Sequence, residues 1–125
     1  MRGGQETAPG HTDRGEAALA QAEANGTSPM IIETMLNRCA KETGIAPREI
    51  LGRSRTAEVS RSRCATMWAA RKVLSPHTRG SYPALGRVFR RDHSTVIHAV
   101  RKAEARRTAE IDFRRLTDAL VRGLF

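Results

Sequence analysis

The stretch VFRRDHSTVIHAVRKAEAR, Val88 to Arg106, places a group of polar side chains at the start of a predicted helix. Asp92 is a residue type that commonly caps the N-terminus of a helix. Behind it, apolar residues between positions 96 and 103 recur at helical spacing. The stretch therefore predicts a helix over residues 92–107, whose first turn offers polar groups to a partner.

The segment SYPALGRVF, Ser81 to Phe89, predicts a short helix directly before it. Ser81 is a good N-cap, and Pro83 is tolerated in the first helical turn. The predicted helix carries Leu85, Val88 and Phe89. Two short helices joined by a turn of about three or four residues form a helix-turn-helix pattern. In such a pair the N-terminus of the second helix faces base edges in the major groove of DNA.

Helical periodicity continues along the chain, and no alternating run of strand length occurs. A basic, Ser/Thr-containing connector, RSRTAEVSRSR, separates the early helices from a central one. We predict an all-α fold, a compact six-helix domain over residues 30–125 that contains the helix-turn-helix. The remaining predicted helices run from Pro29 to Gly44, from Pro47 to Gly52, from about Ser60 to Leu74, and through Phe113, Leu116 and Leu120.

Residues 1–29 differ in composition from the rest of the chain. They are rich in Gly, Ala, Thr and polar residues, with almost no large apolar side chains. Such a segment cannot bury enough apolar surface to offset the conformational entropy lost on ordering. We therefore predict a disordered N-terminal tail.

The positive charge is concentrated in the predicted domain. The tail holds 2 of the 22 basic and 4 of the 13 acidic residues, so residues 30–125 carry a net charge of +11. Nearly all of the basic residues are arginine, whose planar fork suits phosphates and guanine edges. The excess favours a nucleic-acid partner, because contacts with phosphates release condensed counterions. The alternative is solubility, combined with the arginine enrichment that GC-rich genomes produce.

Several classes of protein are disfavoured by the sequence. The two cysteines, Cys39 and Cys64, lie in apolar helical patterns without a C-x-x-C pair, which indicates buried thiols in a reducing compartment. No signal-peptide pattern or long apolar run is present, so we expect a cytoplasmic, nucleoid-associated protein without a membrane partner. No metal-ligand set, nucleophile motif or cofactor motif occurs, and we expect no enzymatic activity.

The polar residues at the start of the predicted recognition helix each have two interpretations. Asp92 either caps the helix or accepts a hydrogen bond from a cytosine amine, and one carboxylate can do both. His93 and Ser94 either contact bases or are solvated. The methyl group of Thr95 suits a thymine methyl. His98, further along the helix, is interpreted as a packing residue.

Three strings together resemble a known family: RDHSTVIHAVRK, SYPALGRVF and RSRCATMWAARKVL. They are similar to the C-terminal DNA-binding domain of the bacterial chromosomal replication initiator DnaA, from about Ile31 to Leu124. The resemblance implies a recognition helix in the major groove and a basic loop in the minor groove. It also implies a target related to the consensus TTATNCACA, read by one monomer per box.

Position by position, the resemblance carries DNA contacts onto this chain. An arginine in a flexible basic loop is also the side chain favoured by the negative potential of a narrow minor groove. The implied contacts are Arg55 in the minor groove, Asp92, His93, Ser94 and Thr95 at base edges, Pro83 at a thymine methyl, Arg71 in a groove, and Arg63 and Arg91 at phosphates.

The chain departs from the family pattern in three places. The loop SPHTRGSYP is longer than usual, which could shift Pro83. The turn FRRDH is one residue shorter than the common form and has Arg90 where a glycine is usual, adding a further phosphate contact. The chain has no G-x-x-x-x-G-K-[ST] motif, so we do not expect it to melt an origin by ATP-driven assembly.

The resulting hypothesis is a stand-alone protein that binds specific sites in double-stranded DNA and regulates replication initiation or transcription. Its tail would contact replication or transcription proteins. Two alternatives remain open from sequence alone. One is a protein-interaction module, and the other is a nucleoid-type binder with little sequence preference.

Overall fold

The computed structural model describes residues 29–124. Apart from Pro29, the predicted disordered tail lies outside these residues. All regular secondary structure among residues 29–124 is helical, which confirms the predicted all-α class. Its six helices are α1 (Pro29–Thr43), α2 (Pro47–Leu51), α3 (Ala57–Val73), α4 (Tyr82–Phe89), α5 (His93–Ala109) and α6 (Ile111–Val121).

Helix α3 is the centre of the fold, and each of the other five helices packs against it. Every residue from Ser62 to Ala70 is buried. Small residues such as Ala65 and Ala69 allow neighbouring helices to approach closely, while Met67 and Trp68 fill the space between them. The side chains of Ala65, Trp68 and Ala69 all face inward.

Short polar caps set where the helices begin. The side chains of Thr56 and Ser81 accept hydrogen bonds from the backbone N–H groups of Val59 and Ala84, each at 3.3 Å. The cap at Thr56 starts α3 three residues before the predicted Ser60. The predicted start was wrong because a charged run was interpreted as a loop, although Val59 within it is buried.

The first and last helices are joined by Arg38. Its Nη1 atom donates to the backbone oxygen of Arg122 at 2.6 Å and to that of Ala119 at 3.3 Å. The last carbonyl groups of a helix have no partner within the helix, so these bonds satisfy the end of α6. Arg38 thereby attaches α6 to α1.

Both cysteines are buried and free, as predicted. The Sγ atom of Cys64 donates to the backbone oxygen of Ala99 at 2.8 Å, and this bond links α3 to α5. Among residues 29–124, no helix is long and apolar enough to cross a membrane.

Candidate nucleic-acid interface

Helices α4 and α5 form the predicted pair, joined by a tight turn. Arg90 ends α4 in the left-handed conformation, with φ 58° and ψ 44°, a conformation that glycine adopts more readily than other residues. The backbone N–H of Arg91 donates to the oxygen of Gly86 at 2.8 Å. A Cβ atom on Gly86 would lie 2.6 Å from the oxygen of Arg91, so the turn closes directly onto this glycine.

The N-terminus of α5 is capped by Asp92. One carboxylate oxygen, Oδ2, accepts the backbone N–H of Ser94 at 3.0 Å and also the Ser94 hydroxyl. These hydrogen bonds lower the pKa of Asp92. The capping interpretation is therefore confirmed. The other oxygen lies 3.9 Å from Nδ1 of His93 and has lone pairs left for a further hydrogen bond.

The first turn of α5 presents its side chains to solvent as one group. Asp92, His93, Ser94 and Thr95 are all exposed, whereas Val96 immediately behind them is fully buried. The buried valine holds the helix against the core and leaves the preceding four side chains outside. This arrangement is what a recognition helix requires at its N-terminus.

A basic loop, residues 52–56, lies beside the turn between α4 and α5. A cleft of about 330 Å³ is lined by Arg53 and Arg55 from the loop and by Arg90 and Arg91 from the turn. We call these four residues the arginine cleft. No carboxylate among residues 29–124 forms an ion pair with any of them. The cleft is thus a concentrated positive surface formed by segments far apart in sequence.

The like charges in the arginine cleft affect one another. Burial lowers the pKa of Arg91, and the neighbouring charges of Arg53 and Arg55 lower it further. An anion in the cleft would relieve this repulsion. Arg53 was not among the residues predicted for the site, although its position two residues before Arg55 in the same basic run was a usable signal.

Arg63 lies inside the domain rather than at its surface. It is 8% exposed, and its guanidinium donates only to backbone carbonyls. Burial, with the nearby charge of Arg91, lowers the pKa of Arg63 to about 10, so the side chain remains charged at neutral pH. The phosphate contact of Arg63 stays a prediction, and it would have to use the small exposed part of this side chain. Its acceptors are the oxygens of Ile50 at 2.7 Å, Ser54 at 3.0 Å, Glu49 at 3.1 Å and Gly52 at 3.2 Å.

Arg91 is also engaged by backbone carbonyls. Its Nη2 atom donates to the oxygen of Gly52 at 2.5 Å, and its Nη1 atom donates to the oxygen of Phe89 at 3.0 Å. The side chain is half-buried and lies between the turn and the basic loop. A phosphate contact by Arg91 would have to use the remaining, solvent-facing part of the guanidinium.

Arg71 and Pro83 flank the loop between α3 and α4. The Nη1 atom of Arg71 donates to the oxygen of Gly80 at 2.7 Å, and its guanidinium lies 4.0 Å from the ring centre of Tyr82. Arg71 thus fastens the longer loop against α4. Pro83, in the first turn of α4, is exposed and available for contact.

His98 is exposed, so its prediction as a packing residue was wrong. It lines a second groove, of about 270 Å³, between α3 and α5. The apolar floor of the groove includes Met67, and its rim includes Thr95 and Lys102. The helical pattern of α5 places His98 two residues after buried Val96 and so outside the inner face.

A family model described as the bacterial dnaA protein helix-turn-helix matches residues 32–103. The chain belongs to this family. The match covers α2, α3, α4, most of α1 and the first part of α5, together with the arginine cleft and the first turn of α5. The resemblance derived from the sequence is therefore confirmed, and the fold is that of a DnaA-type DNA-binding helix-turn-helix domain.

Relatives in the DnaA family are much longer than this chain. The chromosomal replication initiator protein DnaA of Caulobacter vibrioides is 33% identical over 113 residues, which cover 90% of this chain and 22% of that protein. The DnaA of Agrobacterium fabrum is 34% identical over 94 residues, covering 74% of this chain and 18% of that protein. The DnaA 2 protein of Chlamydia caviae is 45% identical over 62 residues, which cover 50% of this chain and 13% of that protein.

Proposed function

We propose that this protein binds specific sites in double-stranded DNA, reading two adjacent grooves, and thereby regulates replication initiation or transcription. The first turn of α5 would enter the major groove, and Arg55 would enter the neighbouring minor groove. The observation that carries this proposal is the arginine cleft. It brings the basic loop directly beside the N-terminus of the recognition helix.

Two elements that read adjacent grooves must straddle the sugar-phosphate strand between them. A surface suited to that strand needs positive side chains from both elements and no carboxylate in the path. The arginine cleft provides both, with two guanidinium groups from each side. Arg53 and Arg90, which are exposed, are the proposed phosphate contacts at this place.

Sequence choice would come from the exposed side chains on either side of the strand. Arg55 suits a narrow A/T-rich minor groove, where the negative potential is strongest. His93 and Thr95 offer a ring nitrogen and a hydroxyl to base edges in the major groove, and Asp92 has one carboxylate oxygen left to accept from a cytosine amine. Pro83 offers an apolar surface to a thymine methyl.

The relatives' printed names connect the proposed target with chromosomal replication. Because the matched relatives are chromosomal replication initiator proteins, we propose that this protein recognises boxes of the kind that they bind. Binding to a shared box would allow it to compete with an initiator or to regulate a nearby gene. Residues 1–28 are the proposed contact for replication or transcription proteins.

Fluorescence anisotropy tests this proposal directly. The protein is titrated into a TTATCCACA duplex and into a scrambled duplex of equal composition, at near-physiological salt. We expect tighter binding to the box, and a loss of about 1–3 kcal/mol of box binding for Arg55→Ala and for His93→Ala. Arg115→Ala, which removes an exposed arginine from α6, is the matched control and should retain the box preference.

The other outcomes identify the alternatives. Equal binding to both duplexes with a steep salt dependence would indicate a nucleoid-type binder that contacts phosphates alone. No binding to either duplex would overturn the proposal and favour a protein-interaction module.

A further inference from the structure

A single backbone oxygen, that of Gly52, accepts hydrogen bonds from two arginines on different elements. Arg63 of α3 donates to it at 3.2 Å, and Arg91 of the turn donates to it at 2.5 Å. Gly52 follows the last residue of α2 and opens the basic loop. The oxygen therefore lies where the basic loop, the central helix and the recognition turn meet.

We propose that Arg63 and Arg91 are positioning residues, which set the distance between the basic loop and the first turn of α5 through the Gly52 oxygen. This inference rests on the proposed function, since the distance matters because two grooves are read together. It replaces the phosphate contacts predicted for these two arginines. In this arrangement their side chains hold the DNA-reading residues in place.

Arg63 fixes the start of the basic loop to the core. Its four acceptors lie at the end of α2 and within the basic loop, at positions 49, 50, 52 and 54. Carbonyl groups at the end of a helix lack partners within the helix, and the arginine fork can satisfy several of them at once. Because Arg63 sits in the buried helix α3, the start of the loop is fixed relative to the core.

Arg91 connects the other reading element to the same point. One side of its guanidinium donates to the oxygen of Phe89, and the other side donates to that of Gly52. Arg91 immediately precedes Asp92, which caps α5. Any displacement of the loop relative to this guanidinium would therefore change the separation between Arg55 and the first turn of α5.

Gly52 permits this arrangement because it has no side chain. A Cβ atom at this position would lie 2.8 Å from the oxygen of Arg48, which is closer than real Cβ contacts. The backbone angles, φ −90° and ψ −156°, are accessible to any residue, so the requirement is one of space. A larger residue would displace the oxygen that both arginines share.

The arginine side chain is needed here for its shape as well as for its charge. Two like charges at one oxygen repel each other, and burial adds to the cost. A lysine has a single charged nitrogen and cannot donate in two fixed directions, as Arg91 does towards Phe89 and Gly52. The Arg91→Lys variant therefore separates the role of geometry from that of charge.

The test measures binding of wild type, Arg91→Lys, Arg91→Gln and Arg53→Gln to the box and scrambled duplexes over a range of salt concentrations. We expect Arg91→Lys to keep the wild-type salt slope but to lose about tenfold in box preference, as when one base contact is misplaced. Arg53→Gln is the phosphate-contact control. It should weaken binding to both duplexes alike and reduce the slope of log binding constant against log salt concentration by about 1.

If Arg91→Lys binds like wild type while Arg91→Gln reduces the salt slope by about 1, Arg91 contacts a phosphate and the inference is overturned.

A second measurement needs no DNA. Amide hydrogen exchange in residues 53–56 should be faster in Arg91→Lys than in wild type, and unchanged exchange would also overturn the inference. A wild-type protein without box preference would instead contradict the proposed function, while the exchange data would still report on the contact at Gly52.

Discussion

The indole Nε1 of Trp68 donates a hydrogen bond to the Oε1 atom of Glu104 at 3.0 Å and so ties the central helix α3 to the recognition helix α5. Trp68 is 4% exposed, whereas about half of the Glu104 side chain faces solvent. The other carboxylate oxygen of Glu104 pairs with Lys72 at 3.1 Å. Arg107 lies over the indole ring, 4.3 Å from its centre. The body of α5 is thereby anchored far from its N-terminal turn.

Replacing Glu104 by alanine should destabilise the domain by about 1–3 kcal/mol, because the buried indole N–H would lose its acceptor. Glu104→Gln keeps an amide oxygen in the same place and should cost less. Urea unfolding followed by tryptophan fluorescence measures both. Glu33→Ala, an exposed position on α1, is the control and should be nearly neutral. If the alanine and glutamine variants lose the same amount of unfolding free energy, the hydrogen bond from Trp68 is not the cause of the loss.

The same carboxylate predicts a pH dependence of stability. Burial of Glu104 opposes its ionisation, but hydrogen bonds from Trp68 and Lys72, with the charges of Lys72 and Arg107, outweigh burial and lower the pKa of Glu104 below its usual value. A lowered folded-state pKa stabilises the fold above the unfolded value, and this contribution is lost as pH falls through the folded value. The stability difference between wild type and Glu104→Gln should therefore be largest near neutral pH and smaller at about pH 3. Urea unfolding at both pH values, at low ionic strength, measures this, and a difference that grows in acid would contradict it.

Helix positions were largely predictable because their signals are local. Prolines and polar caps mark the starts of α1, α2, α4 and α5, and each of these starts matches the prediction within a residue. The start of α3 was not predicted, because the basic connector contains more charged than apolar residues. The signals that begin this helix, the cap at Thr56 and the buried side chain of Val59, lie within that charged run.

The candidate site was predictable in part for the same reason. The exposed group at positions 92–95 follows from a helix start and one buried valine, both visible in the sequence. By contrast, the proximity of Arg53 and Arg55 to the turn depends on packing between distant segments. The contacts of Arg63 and Arg91 with the Gly52 oxygen are likewise tertiary, and the sequence does not show that a charged side chain donates to a backbone carbonyl of a distant segment.

Gly86→Ala should destabilise the domain although it lies inside a helix. In an unconstrained helix, replacing glycine by alanine would raise the free energy of unfolding by roughly 0.5–1 kcal/mol. Here the new Cβ atom would lie 2.6 Å from the backbone oxygen of Arg91, so either α4 or the turn must move. We expect a net loss of about 1–3 kcal/mol and a reduced box preference. Thermal and urea unfolding measure the loss, with Ser60→Ala at an exposed position of α3 as the propensity control. A stabilised Gly86→Ala would show that the turn can relax without cost.

The two cysteines provide a probe of how tightly α1, α3 and α5 pack. Cys39 and Cys64 are both buried, and Cys64 donates to the oxygen of Ala99 at 2.8 Å. Burial raises the pKa of Cys64, although the charges of Arg106 and Lys102 oppose that effect. Because the thiolate is the reactive form, a disulfide reagent such as DTNB should react slowly with the native protein and with two thiols per chain in urea. A rapid phase of one thiol that is retained in a native Cys39→Ser variant would belong to Cys64, and it would show that α3 and α5 separate at Ala99 without global unfolding.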